Sequence, residues 1–265
     1  MVKRLIVMCM VVSLTAPFVS GQLWKMKRYE ATAAVGTSQF YGDIGGFSPG
    51  ENAMGLKDIT FKQTRFSVNG SFRYFITDNV AARLSMSYAL LHATDARGSN
   101  PGRDYEAGTS LFEPALLGEY YFVRNRGRNS FLFQNYRSMG INRAKDFLNS
   151  IDGYLFTGIG GAGFDVYKKN DKFLSEVSGM TENGFTAVIP FGLGAKIALD
   201  PNILVGAEFA MRYVFSDYLD GYDADEKPDA DPEKNLSHSK DVYHTFMLTF
   251  SYRIKTARNG LPMFK

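Results

Sequence analysis

The chain has 265 residues, is 45% hydrophobic and 14% aromatic, carries a formal net charge of +3 and holds one cysteine. So small a charge excludes the electrostatic footprint of a nucleic-acid binder, and a lone cysteine excludes a disulfide framework. The first 21 residues read as a secretory signal. Lys3 and Arg4 form the positive start, "LIVMCMVVSLTAPFV" the apolar core, and Val19 and Gly21 the small-residue cleavage site, so the mature chain is expected to begin at Gln22. Cys9 lies inside that apolar core. The exported chain then keeps no cysteine and must be stable without disulfides. No later stretch has the length and apolarity of a transmembrane helix.

From residue 29 onward the dominant signal is alternation. "RYEATAAVGTSQF" is a weak first strand. "FSVNGSFRYFI" sets Phe66, Val68, Gly70, Phe72, Tyr74 and Ile76 on one face against Ser67, Asn69, Ser71 and Arg73 on the other. After the turn "TDN", "VAARLSMSYAL" continues with Val80, Leu84, Met86 and Tyr88 against Ala81, Arg83, Ser85 and Ser87. Period two in both stretches predicts a strand pair. "LFEPALLGEYYF" sets Phe112, Leu116, Tyr120 and Phe122 against Glu113 and Glu119. "YLFTGIGGAGFDVY" reads as the fifth strand, with Tyr154, Phe156, Phe164 and Val166 assigned to the outward face. "AVIPFGLGAKIAL", the turn "DPN" and "ILVGAEFAMRYVF" give the sixth and seventh, with Lys196, Glu208 and Arg212 on the polar face. "VYHTFMLTFSYRI" is the eighth, with Arg253 on that face.

These runs reach roughly 11–14 residues, about twice the globular average and enough for a tilted transmembrane strand. The polar face is too charged for a sandwich core, where unpaired arginine and glutamate are costly. In a membrane barrel the apolar face meets lipid and the polar face fills the lumen. The fold class expected is therefore all-β: a transmembrane antiparallel up-and-down β-barrel of about eight strands occupying residues 22–265. Tyr29, Tyr88, Tyr121, Tyr213 and Tyr252 are read as its aromatic girdles. Short turns alternate with long polar segments at roughly 40–62, 92–109, 167–186 and 216–241. That asymmetry puts the short turns and both termini in the periplasm and the long loops outside. Residues 124–150 break the rule as a long insertion on the periplasmic side, in which "INRAKDFLNS" is compatible with a short helix.

"TGIGGAGF" contains Gly158, Gly160 and Gly163 at the spacing of a dinucleotide-binding loop. That loop needs a helix after it to hold the pyrophosphate. The downstream residues "FDVYKKNDKF" have no helical period. The glycines are assigned instead to a strand that bends or lets a bulky neighbour lie across it.

The candidate site residues form two sets. Arg73, Arg83, Glu113, Glu119, Lys196, Glu208 and Arg212, with Arg65 and Arg253, share the inward parity and are read as ion pairs plugging a narrow lumen. Arg126, Arg128, Arg137, Arg143 and Lys145 crowd the insertion, which begins with Arg124 and has a single acid, Asp146. With Lys255 and Arg258 they are read as a basic periplasmic face that docks an acidic partner, the rival reading being contact with phospholipid headgroups. The acidic segment "DGYDADEKPDADPE" lacks the glycine and terminal glutamate of a calcium loop, with Pro228 and Lys234 in those places. His92, His238 and His244 are the only histidines; His244 lies near a strand end in "YHTF" with no serine two positions on, so catalysis is not expected. No metal, cofactor, nucleic acid or small-molecule substrate is expected.

Four landmarks resemble a known family: "FYGDIGG" after the first strand, "YLFTGIGGAGF" in the fifth, "RYVFSDYLDGY" leaving the seventh, and the ending "SYRIKTARNGLPMF". Their order and spacing resemble the PorG-like outer-membrane barrels of Bacteroidetes. The resemblance implies a non-enzymatic component of type IX protein secretion that sits in outer-membrane lipid and binds the periplasmic lipoprotein-containing ring. The alternatives are an OmpA-like structural or adhesive envelope barrel and a lipid A-modifying barrel enzyme.

Overall fold

The structure, a computed structural model, describes residues 27–42, 63–94, 106–124, 151–169, 183–200, 202–216, 219, 241–257 and 261–263. Eight antiparallel strands run in chain order: β1 (Tyr29–Tyr41), β2 (Arg65–Phe75), β3 (Val80–Thr94), β4 (Glu106–Val123), β5 (Ile151–Lys169), β6 (Asn183–Ala198), β7 (Ile203–Val214) and β8 (Val242–Thr256). Each pairs with the next, and β1 pairs with β8 from Tyr29↔Ile254 to Tyr41↔Val242, which closes the sheet into a barrel. A two-residue strand, β9 (Pro262–Met263), folds back on the end of β8. The start of β1, the end of β8 and the turns at 76–79 and 199–202 share one end of the barrel. These turns are tight: Ile76 N–H donates to the Val80 carbonyl at 2.9 Å, and Leu199 N–H donates to that of Ile203 at 2.9 Å.

Around the waist, side chains follow the membrane pattern rather than the globular one. Leu84, Met86, Leu116, Leu155, Ile159, Leu193, Leu248 and Phe250 all point outward and are at least half exposed. The charged residues of the same strands, Arg73, Arg83, Glu119 and Lys196, are buried inside. The outward apolar run spans Val80–Leu90 on β3 and Phe112–Phe122 on β4. At about 3.3 Å per residue and a tilt near 40°, such runs cover roughly 25–28 Å, the height of an outer-membrane apolar band. The barrel is built to stand in a bilayer, and its crossing elements are strands.

The strands continue past the belt, further than the alternation predicts. Residues 92–94, 106–109, 168–169 and 183–186, expected in loops, are paired strand. Here the polarity reverses. The inner face carries Leu91, Ala93, Ala107, Leu111, Phe164 and Val166, which pack with Phe40, Val188, Val214 and Tyr243 into an apolar core. The outer face carries Thr94, Glu106, Ser110 and Asp165 beside the exposed rings of Tyr167 and Phe185. Above the membrane the barrel wall thus has the greasy-inside arrangement of a water-soluble sheet.

β5 corrects the expected face of four residues. Tyr154, Phe156, Phe164 and Val166 point into the lumen, while Leu155, Ile159 and Tyr167 point out. Tyr121, expected in a girdle, is likewise fully buried inside. The rings fit because glycines face them on the next strand. A Cβ on Gly194 would come within 2.4 Å of the Tyr154 ring, and one on Gly192 within 2.6 Å of Phe156. The motif glycine Gly158 has a different reason: a Cβ there would lie 2.0 Å from the Leu116 carbonyl oxygen, so the backbones of β4 and β5 approach too closely for any side chain.

Candidate functional site

The lumen charges gather at the short-turn half. Arg73 and Arg83 are direct cross-strand partners on β2 and β3. Like charges so placed repel, and carboxylates arriving from other strands offset the repulsion. Glu119 on β4 lies 2.7 Å from Arg73 Nε and 2.9 Å from Arg83 Nε. Glu208 on β7 lies 3.2 Å from Arg73 Nη2 and 2.7 Å from Arg83 Nη1. Glu30 on β1 accepts from Arg73, from Lys196 Nζ at 2.6 Å, and faces Arg253 at 3.6 Å. Arg253 also donates to Asp152 at 2.8 Å. Four cations and four carboxylates therefore form one connected, charge-balanced network. Balance matters because an uncompensated buried ion is strongly destabilising, whereas a paired and hydrogen-bonded one is tolerated.

Aromatic side chains fill the space between the ions. Lys196 donates to the Tyr121 hydroxyl at 2.9 Å, which donates to Glu119 at 2.9 Å. The Tyr154 hydroxyl donates to Glu208. Tyr121 stacks on Tyr154 with centroids 5.0 Å apart and meets Phe75 at 5.3 Å. The Arg83 guanidinium lies 4.4 Å from the Phe156 centroid. Rings and cations of this kind attract through the ring quadrupole, more so when desolvated.

A second, smaller cluster lies further along the lumen. Arg212 Nε is 2.9 Å from Glu113, the Tyr243 hydroxyl donates to Glu113, and Arg212 also donates to the Thr245 hydroxyl. Beyond it Leu219, from the β7–β8 connection, is fully buried in the apolar core. It is tied at both ends: its N–H donates to Asp241 at 2.9 Å and its carbonyl accepts from Thr109 at 2.6 Å.

All seven predicted lumen residues lie in these two clusters. Arg65 does not; it is half-buried and donates to the Thr64 carbonyl at 3.0 Å. Glu30 and Asp152 escaped the sequence reading. Glu30 sits in a weakly patterned strand, although Glu30 and Thr32 do alternate with Ala31 and Ala33. Tyr121, Tyr154 and Tyr243 were missed as lumen groups because aromatic residues also mark the girdles.

At the short-turn end Lys27 donates to Asn202 at 2.5 Å, Arg28 donates to the Tyr74 hydroxyl at 2.9 Å, and the Arg124 guanidinium lies 4.3 Å from the Phe75 centroid. Lys255 is exposed. Arg126, Arg128, Arg137, Arg143, Lys145 and Arg258 lie outside the described residues, as do the "INRAKDFLNS" segment and the signal. The strand ends place the β4–β5 connection at this same end. Among the described residues no group of three or more His, Cys, Asp or Glu is placed to hold a metal.

A family model described as "Domain of unknown function (DUF6089)" matches residues 3–257. No curated protein matches in sequence. Among solved structures, the chain is similar to Neisserial surface protein A (9% identity, 86% of this chain and 97% of that one, TM-score 0.43). It is also similar to a major outer membrane protein of Thermus thermophilus (11%, 84% and 98%, 0.41). A third is the attachment invasion locus protein Ail of Yersinia pestis bound to the heparin analogue sucrose octasulfate (12%, 85% and 98%, 0.40). Likeness this distant decides nothing about activity; the barrel rests on the pairings above.

Proposed function

The chain belongs to the DUF6089 family, and we propose that it is a non-enzymatic, sealed barrel of the outer membrane that serves as a structural and docking component of type IX protein secretion. The observation that supports a scaffold over a channel is the buried, charge-balanced network across the lumen. Such a network leaves no net field to select an ion and no lined path to conduct one. Purified protein in planar bilayers is expected to give no stable conductance, and reproducible porin-like steps would overturn the reading.

Docking is assigned to the short-turn end. Six basic residues against one acid in 124–150, with Lys25, Lys27 and Arg28 before β1 and Lys255, Arg258 and Lys265 after β8, make this end basic. A basic rim steers and holds an acidic protein surface. Reversing Arg126, Arg128 and Arg143 to Glu is expected to leave the barrel assembled but release the periplasmic ring in a pull-down and lower secretion. Normal ring capture and secretion by an assembled triple variant would sink docking and leave headgroup contact as the role of these cations. The secretion machine itself is inferred from the sequence landmarks.

A second reading, a structural or adhesive envelope barrel, draws support from the outer extension of β3–β6 with its own apolar core. A deletion strain that exports type IX cargo normally but loses surface attachment would favour it.

A further inference from the structure

β4 ends on an irregularity. Its pairing with β5 slips between Tyr121, opposite Tyr154, and Val123, opposite Gly153, so Phe122 has no partner on β5. A bulge of this kind resets the alternation beyond it and re-aims the side chains that follow. Tyr121 is buried in the lumen, Phe122 and Val123 are both exposed, and Arg124 turns back inward. Without the bulge Arg124 would share the lipid-facing parity of Tyr120 and Phe122. With it, the guanidinium lies across the short-turn mouth, 4.3 Å from the Phe75 centroid and 5.2 Å from that of Tyr121. The lumen network beside it is already balanced, four cations against four carboxylates. Lys196 Nζ shares the same two rings, at 5.5 Å and 5.1 Å. Arg124 is therefore a fifth cation. It is half-buried, its Nη1 is shut away from water without a hydrogen bond, and among the described residues it forms no ion pair. Burial lowers its pKa; Asp152 and Asp78 oppose this only through space, and Arg253 adds to it. Asp152 is itself held by Arg253 at 2.8 Å. A desolvated cation is costly until an anion pairs with it.

We propose that Arg124 is an anion site at the short-turn mouth, which receives one carboxylate side chain from an acidic protein partner. The two rings fix the plane of the guanidinium, and a fixed guanidinium edge suits the paired oxygens of a carboxylate. Asp152 and Asp78 make a doubly charged phosphate less welcome than a singly charged carboxylate. The site faces the barrel axis while Phe122 and Val123 take the lipid side, so the anion arrives along the axis and not from a headgroup. Tyr121 and Lys196 fill the lumen beneath, which leaves depth for the end of a side chain and not for a chain segment. This site deepens the docking proposed above, rests on it, and names the one contact made at the centre of the basic rim.

The test uses the full-length barrel with nitrogen-15 arginine in phospholipid nanodiscs. The Nε–H resonance that vanishes in R124K belongs to Arg124. An end-blocked Gly-Glu-Gly peptide is expected to shift it saturably, the Gly-Gln-Gly peptide to leave it in place, and inorganic phosphate at equal ionic strength to move it less. In the ring pull-down, R124M, which keeps an apolar stem over the rings, is expected to lower capture at least about tenfold although Arg126, Arg128 and Arg143 remain. Folding is checked by heat-dependent migration in gels, and R124K replaces R124M if the latter does not fold. A resonance unmoved by the glutamate peptide, moved equally by the glutamine peptide or phosphate, or moved by anionic lipid alone overturns the carboxylate site. So does full ring capture by the folded R124M barrel. An R126E/R128E/R143E barrel that keeps its ring while the glutamate peptide still shifts Arg124 sinks docking by the basic rim and leaves the carboxylate site standing, so the two failures are told apart.

Discussion

Glu208 touches Arg73, Arg83 and the Tyr154 hydroxyl, so its removal disturbs both halves of a like-charged cross-strand pair. Breaking a buried pair by deleting one partner typically costs about 3–5 kcal/mol. Glu208→Ala is therefore expected to lower stability by about that amount in reversible urea unfolding, and a loss under about 1 kcal/mol would show that the network tolerates the vacancy. The glycine motif separates equally cleanly. Gly158→Ala forces a Cβ onto the Leu116 backbone and should prevent barrel closure, whereas Gly163, with nothing within 4 Å of an added Cβ, should accept Ala with normal gel migration. Equal tolerance at both sites would refute the close-approach account. At this scale the inward arginines and glutamates were legible because charge repeated on one parity of an apolar strand fits a polar lumen and little else. The inward tyrosines were not, since an aromatic residue suits a girdle and a lumen alike, and only the glycines across from it decide which.

The strands carry two polarity codes in series. Within the belt a lipid-facing charge is expensive; beyond it the same parity faces water. Leu84→Lys is accordingly expected to cost about 2–4 kcal/mol and Ser110→Lys, outward-facing past the belt, about 0–1 kcal/mol. Comparable losses from both, measured by unfolding in lipid vesicles, would place the membrane boundary elsewhere. This switch explains why the existence and order of eight strands could be read from alternation while their outer ends could not. A search for apolar residues on one face stops where that face turns polar, at Leu90 on β3 and Phe112 on β4, although the hydrogen-bonded ladder runs on to Thr94 and Glu106. The basic residues proposed for docking present a different obstacle: such a role would depend on a partner surface, and no regular spacing encodes that.

For the whole molecule, the turns at 76–79 and 199–202 and both chain ends share one mouth of the barrel. Cysteines placed at Asn79 or Asn202 should resist an impermeant reagent on intact cells, and cysteines at Gly98 or Asp229, on the β3–β4 and β7–β8 connections, should label; the reverse pattern would invert the topology. The β1–β8 ladder has a further consequence. It joins residues more than 200 positions apart through 13 successive partners, from Tyr29↔Ile254 to Tyr41↔Val242. Among the described residues no other strand pairing is so remote in sequence, and until it forms two raw edges face hydrocarbon, where unpaired peptide groups find no water. Assembly is thus all-or-nothing with respect to synthesis: the first strand must wait, shielded, for the last. A chain cut within β8 is left an open ribbon rather than a smaller barrel, and quality control of this protein reduces to whether its two ends have found each other.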